Sequence, residues 1–168
     1  MSENIERIVD DYSAHLLRIA YFYTKNRHAA EDIVQEVFMN FLQSNYSERG
    51  QLRAYLTKMT VNRSKDYLKS WNYKMVQVKS FINETAKSIL PSTEKKVIDK
   101  YNNEEIKDTI YSLPKVYREV VYLYYYDSLS TEEIANVLDI SVNTVKTRLR
   151  RAKQRLESML KEAELHGR

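Results

Sequence analysis

The 168-residue chain contains no cysteine, only two glycines and only two prolines. Without cysteine there is no disulfide, no thiolate nucleophile and no cysteine-based zinc site. Scarce glycine and proline argue against the many tight turns of a β-rich fold and against glycine-rich loops that cradle phosphates. No stretch is apolar for long enough to span a bilayer, and the N-terminus lacks a basic region followed by an apolar core. His15, His28 and His166 have no metal-ligand spacing, and there is no Walker loop, nucleophile elbow or zincin motif. The expectation is a cytoplasmic protein with no catalytic residue, no metal, no cofactor and no small-molecule substrate.

What is present is charge, unevenly placed. Net charge is +4, but residues 1–50 carry −3, 51–100 carry +7, 101–141 carry −5 and 142–168 carry +5. Two basic blocks far apart in sequence suggest two contacts with nucleic acid; the acidic blocks repel DNA or face a basic protein partner.

The most informative stretch is 130–156. Ser130 and Glu133 have capping-box spacing, and Ile134, Ala135 and Leu138 share one face of the short helix that follows. Asp139-Ile140-Ser141 breaks that helix, and Ser141 can cap a second one. There Val145, Leu149, Ala152 and Leu156 make the inward stripe. Asn143, Lys146, Thr147 and Arg150 share another face at the helix start, where a helix-turn-helix reads base edges in the major groove. Arg148, Arg151, Lys153 and Arg155 flank that face and suit phosphates. A helical hairpin with a solvated charged face is the plainer alternative.

Earlier in the chain, Ile5, Ile8, Val9, Tyr12, Leu16 and Tyr23 follow a helical stripe, and 25–28 reads as a polar turn. Residues 29–43 repeat the pattern with Ala30, Ile33, Val34, Val37, Phe38, Phe41 and Leu42. On the other side Asp32, Gln35 and Glu36 form an acidic-amide patch, either a solvated face or a docking patch for a basic protein surface. A loop over 44–50 precedes a long helix from 51 to about 73, with Leu52, Tyr55, Leu56 and Met59 inward. Outside it, Arg53, Lys58, Arg63, Lys65 and Lys69 are interleaved with Tyr67, Trp71 and Tyr73. Cations for a backbone and rings for stacking suit single-stranded DNA, although Tyr67 and Trp71 can equally pack the end of the domain. Periodicity weakens over 74–100, which reads as a tether. Two short helices then lead to the capping box: 101–113, with Ile106, Ile110 and Leu113 inward, and one opening at Pro114, with Val116, Val120, Leu123 and Tyr124 as its core face.

With both halves in view, the chain resembles the extracytoplasmic-function (ECF) sigma factors of bacterial RNA polymerase, small sigma factors reduced to regions 2 and 4. Ala30-Glu31-Asp32-Ile33-Val34-Gln35-Glu36-Val37-Phe38 looks like the family's region 2 signature, and residues 55–63 and 66–69 resemble the helix after it. Leu113-Pro114, Thr131-Glu132-Glu133-Ile134-Ala135 and residues 144–152 match region 4. The resemblance implies an all-α fold of two small helical domains: region 2 over 1–73, a flexible linker over 74–101 and region 4 over 102–168. It implies a promoter-specificity subunit for a stress- or envelope-type regulon. Asp32, Gln35 and Glu36 would dock on the clamp helices of core RNA polymerase, and region 4 on its flap. Asn45, Tyr46, Arg53, Lys58, Asn62, Arg63, Lys65, Asp66 and Lys69 would hold the −10 element of promoter DNA. Asn143, Thr144, Lys146, Thr147, Arg148, Arg150 and Arg151 would contact the −35 element. An anti-sigma factor, often membrane-bound, would hold the protein inactive. The rival is a conventional helix-turn-helix regulator that binds duplex DNA without polymerase. Asp139 and Ser128 stand where the family often has glycine, and Asn143 where it often has glycine or proline. Aspartate tolerates left-handed backbone better than most residues, so the turn is expected to survive.

Overall fold

A computed structural model of the protein describes residues 2–47, 51–82 and 104–167. Every regular element among these is helical, so the fold is all-α, and the chain divides into two compact units, 1–87 and 88–168.

In the first unit, α1 (Ser2–Thr24), α2 (Arg27–Gln43) and α3 (Leu52–Ile82) pack pairwise against one another. The turn between α1 and α2 is tighter than the expected four residues. Lys25 adopts left-handed backbone (φ 52°), and its N–H donates to the Tyr21 carbonyl at 2.8 Å. Asn26 then caps α2 through its side-chain oxygen, 3.0 Å from the Ala29 nitrogen, so Arg27 and His28 already belong to the helix. The apolar stripe of α2 is buried from Ala29 to Phe38 but outruns the packed interface, leaving Leu42 half exposed.

The inward face of α3 is not the one its large apolar residues indicate. Of Leu52, Tyr55, Leu56 and Met59, only Leu56 is fully buried. The buried stripe is instead Ala54, Leu56, Thr57, Thr60, Val61 and Ser64. Its hydroxyls are satisfied locally: Thr60 donates to the Leu56 carbonyl at 2.8 Å and Ser64 to the Thr60 carbonyl at 2.7 Å. Thr57 Oγ1 lies 3.1 Å from Nε2 of His15, which is buried on α1. The histidine is thus a core hydrogen-bonding group. Small side chains here let α1 and α2 pack closely on α3, and Leu16, Ile19, Ala20, Ile33 and Val37 are buried on those two helices. Helical backbone continues through Ile82, nine residues beyond Tyr73. The segment 74–82 has no glycine or proline to break the helix, and a weaker periodicity does not by itself end one. The rest of the expected tether, 83–101, lies outside the described residues.

The second unit contains α4 (Glu104–Ser112), α5 (Lys115–Val121), a π-helical turn (Tyr122–Tyr126), α6 (Thr131–Leu138) and α7 (Val142–His166). Leu113, Val120, Leu123, Ile134, Val137, Val145 and Ala152 are buried at its centre. The π turn is closed by the Asp127 N–H on the Tyr122 carbonyl, 3.1 Å, and it changes which residues face inward. Val120, Val121 and Leu123 are buried, whereas Val116 and Tyr124, expected in the core, are exposed. An uninterrupted 3.6-residue repeat does not accommodate the extra residue of a π turn, which accounts for the difference at Tyr124.

Both positions where glycine was the family expectation adopt left-handed backbone: Ser128 at φ 57° and Asp139 at φ 56°. The cost of that region falls less on aspartate than on serine. Ser128→Gly is therefore expected to stabilise the protein by about 0.5–1 kcal/mol, and Asp139→Gly by less, in thermal melts. Ser64→Leu, which forces a large side chain against the α3 neighbours, is expected to destabilise by roughly 1–3 kcal/mol in urea titration.

Candidate nucleic-acid interface

The second half of the chain builds a helix-turn-helix by local hydrogen bonds. Ser130 Oγ accepts from the Glu133 N–H at 3.1 Å, and the Ser130 N–H donates to Glu133 Oε2 at 2.7 Å, a complete capping box. At the other end of α6, left-handed Asp139 donates its N–H to the Asn136 carbonyl (3.4 Å), and Ile140 to that of Ala135 (3.0 Å). That is the Schellman pairing. Ser141 then caps α7: its Oγ accepts from the Thr144 N–H at 3.1 Å and lies 2.7 Å from Thr144 Oγ1. Three residues therefore join the helices, and Val145 and Ala152 anchor α7 in the core.

Asn143, Lys146 and Arg150 are exposed on one face of the first turns of α7, with Thr147 half-buried beside them. Thr144 is occupied by the Ser141 cap, Arg148 is half-buried and Arg151 is exposed. Arg155 does not extend this surface freely, because its guanidinium carbon lies 5.1 Å from the Tyr117 ring centroid. Glu132 is exposed at the start of α6. Its carboxyl is held below the usual range first by its own backbone N–H, then by the Thr131 hydroxyl, with Lys146 adding its charge.

In the first unit, Lys58, Asn62, Lys65, Asp66 and Lys69 fall at i, i+4, i+7, i+8 and i+11, one stripe of α3 away from its buried face. Asn62, Asp66 and Lys69 are exposed; Lys58 and Lys65 are half-buried, with the Lys65 ammonium 6.0 Å above the Tyr23 ring. Trp71 is 47% exposed further along and Tyr67 is half-buried. Arg53 is exposed at the start of α3, off that stripe, and Asn45 is exposed beyond α2. Tyr46 is not an open stacking platform. Its ring centroid lies 4.7 Å from that of Tyr55 and 5.7 Å from that of Phe41, and its hydroxyl is buried without a hydrogen-bond partner among the described residues. Residues 48–50 of the same loop lie outside the described residues.

Asp32 and Gln35 are exposed on α2. Glu36 is not simply a third member of their patch, because its Oε2 accepts from Arg63 Nε on α3. This cross-helix pair joins residues that sequence spacing assigned to two different surfaces, and a separation of 27 positions left no local signal of it.

Residues 8–72 match the family described as Sigma-70 region 2, and residues 103–156 match Sigma-70, region 4. SigW, an ECF RNA polymerase sigma factor of Bacillus subtilis, is 31% identical over 166 residues, covering 92% of this chain and 88% of SigW. The chain belongs to the ECF RNA polymerase sigma factors. SigV, an RNA polymerase sigma factor of the same bacterium, is 28% identical over 159 residues, with 94% of this chain and 91% of SigV covered. The fold of this sigma factor is shared by the solved sigma factor RpoE in complex with the anti-sigma factor NepR from Bartonella quintana. There the TM-score is 0.68 at 20% identity, over 95% of this chain and 98% of that one. CnrH, solved with the cytosolic domain of CnrY, gives a TM-score of 0.65 at 20% identity, with 96% of this chain and 90% of CnrH covered. The protein is a promoter-specificity subunit of RNA polymerase, and a conventional regulator acting without polymerase is not favoured.

Glu36 supplies a pH test of its pairing. The Arg63 hydrogen bond, aided by the Arg63 charge and opposed by partial burial, lowers the Glu36 pKa from 4.5. A depressed carboxylate contributes stability above its unfolded value and loses it as pH falls through the folded value. The melting difference between wild type and Glu36→Gln should therefore be constant near neutrality and shrink as pH falls below 4.5.

Proposed function

We propose that this sigma factor divides its work between region 2 over 1–73 and region 4 over 102–168, joined by 74–101. Region 2 docks on the core polymerase clamp helices through the α2 face that carries Asp32, Gln35 and Glu36. The α3 stripe of Lys58, Asn62, Lys65, Asp66 and Lys69, with Arg53 and Asn45 near its start, holds the unpaired non-template strand of the −10 element. Cations neutralise phosphates there, and Trp71 offers a ring for stacking. Tyr46 contributes by packing between Phe41 and Tyr55, which anchors the loop rather than stacking directly on a base. Region 4 reads the −35 duplex with Asn143, Lys146, Thr147 and Arg150, while Arg148 and Arg151 contact phosphates and Thr144 secures the cap. The polymerase flap is the second docking point.

The observation that carries this reading is the doubly capped helix-turn-helix. It exposes an amide and two cations on the first turns of α7. The protein acts without catalysis of its own: trapped single-stranded bases shift thermal breathing of the duplex toward the open state. No helix among the described residues is long and apolar enough to cross a membrane. We place the protein in the cytoplasm, controlling a stress- or envelope-type regulon. RpoE was solved with the anti-sigma factor NepR and CnrH with CnrY, which supports an anti-sigma factor as a further partner here.

The test is run-off transcription with core polymerase on genomic fragments, followed by promoter binding by variant holoenzymes. Lys146→Ala and Arg150→Ala should each cost about 1–3 kcal/mol on duplexes with an intact −35 element where they contact bases, and little where that element is scrambled. Equal losses on both templates would reassign them to phosphate contacts.

A further inference from the structure

The α3 stripe assigned to the −10 strand runs through positions 58, 62, 65, 66 and 69. Arg63 sits off it, turned about 100° or more from most of these residues on a helix of 3.6 residues per turn. Its Nε is already committed to Glu36 Oε2 on α2, and both side chains are somewhat under half exposed. Asp66, one turn further along α3, adds a second negative charge that favours the charged guanidinium. A cation paired with one carboxylate and near a second negative charge offers less net charge to a phosphate. Glu36, for its part, is the half-buried member of the α2 patch, whereas Asp32 and Gln35 are open to solvent.

We propose that Arg63 is a positioning residue of the polymerase-docking face rather than a phosphate contact: it holds the Glu36 carboxylate against α3 and so fixes how α2 presents Asp32 and Gln35. This rests on the assignment of that face to polymerase. The pair bridges two helices, so it sets their local register at the docking face. It also leaves the phosphate-facing charge of α3 to the lysine stripe. A half-exposed pair is worth little in stability, so its effect is expected in the geometry of docking.

The experiment uses the full-length protein. It compares Glu36→Gln, Arg63→Gln, Arg63→Lys and the reversed pair Glu36→Arg with Arg63→Glu. Affinity for core RNA polymerase is measured, together with the salt dependence of holoenzyme binding to a forked −10 DNA. Each glutamine variant should weaken core binding by about two- to fivefold, the reversed pair should return to within about twofold of wild type, and Arg63→Lys should keep most of the affinity. The salt slope should be unchanged in Arg63→Gln. A slope lower by about one makes Arg63 a phosphate contact and overturns the proposal. A reversed pair as weak as the single variants means that Glu36 meets polymerase directly, which also overturns it. Asp32→Ala with Gln35→Ala separates the two assignments. If this double variant binds core polymerase normally, the docking face is wrong and the Arg63 proposal falls with it. If it binds weakly while Arg63→Gln binds normally, only the Arg63 proposal falls.

Discussion

The first unit depends on burying hydroxyls without leaving them unsatisfied. Thr57, Thr60 and Ser64 are completely buried on the face of α3 that meets α1 and α2. A buried hydroxyl without a partner costs more than its hydrogen bond returns. The helix removes that cost itself for Thr60 and Ser64, bonded to carbonyls one turn back, and α1 removes it for Thr57 through His15. Once the inner face is made of small satisfied groups, the long polar side chains of α3 are left for the outer surface. The lysine stripe and the Arg63 bridge both follow from which way this one helix is turned.

That orientation was poorly legible in the sequence. Threonine and serine count as polar in a periodicity reading, so Leu52, Tyr55 and Met59 drew the inward face toward themselves, and all three are only half-buried. The end of α3 lies beyond Tyr73: periodicity weakens there, but nothing in 74–82 breaks a helix. The second unit was read more accurately because its punctuation is local. Ser130, Glu133, Ser141 and Asp139 each act within five residues, and capping rules operate at that range. The π turn escaped because nothing in Tyr-Leu-Tyr-Tyr-Tyr distinguishes a 3.6-residue repeat from a wider one. Of the site residues, Asn143, Lys146 and Arg150 are exposed together as spacing indicated. Tyr46 and Glu36 were seen without their neighbours, which come from other helices.

Charge is organised to match. The acidic first turn of α6 carries Glu132 and Glu133, the basic face of α7 follows after the turn, and the Lys146 charge helps to lower the Glu132 pKa. In the first unit, opposite charges meet at Glu36 and Arg63, whereas the cations of α3 follow their own stripe. Net charge alone, +4, conveys none of this. What matters for an encounter with a polyanion is that cations outnumber carboxylates on these helix faces, with Asp66 the one carboxylate in the α3 stripe.

The π turn also constrains how this sequence can vary in length. Between Tyr122 and Tyr126 the helix carries one residue more than a regular turn, and the Leu129 N–H still reaches the Leu123 carbonyl at 3.0 Å. Exposed Tyr124 and Tyr125 can change identity at small cost to the interior. Deleting any one of the five would regularise the turn and swing everything after it by about 100°. Ile134, Ala135 and Val137, which follow the capping box, would then be turned out of the core by that rotation. The exposed positions of the stretch therefore tolerate exchange of side chains far better than the stretch tolerates any loss or gain of a residue, and the placement of α6 and α7 depends on its length.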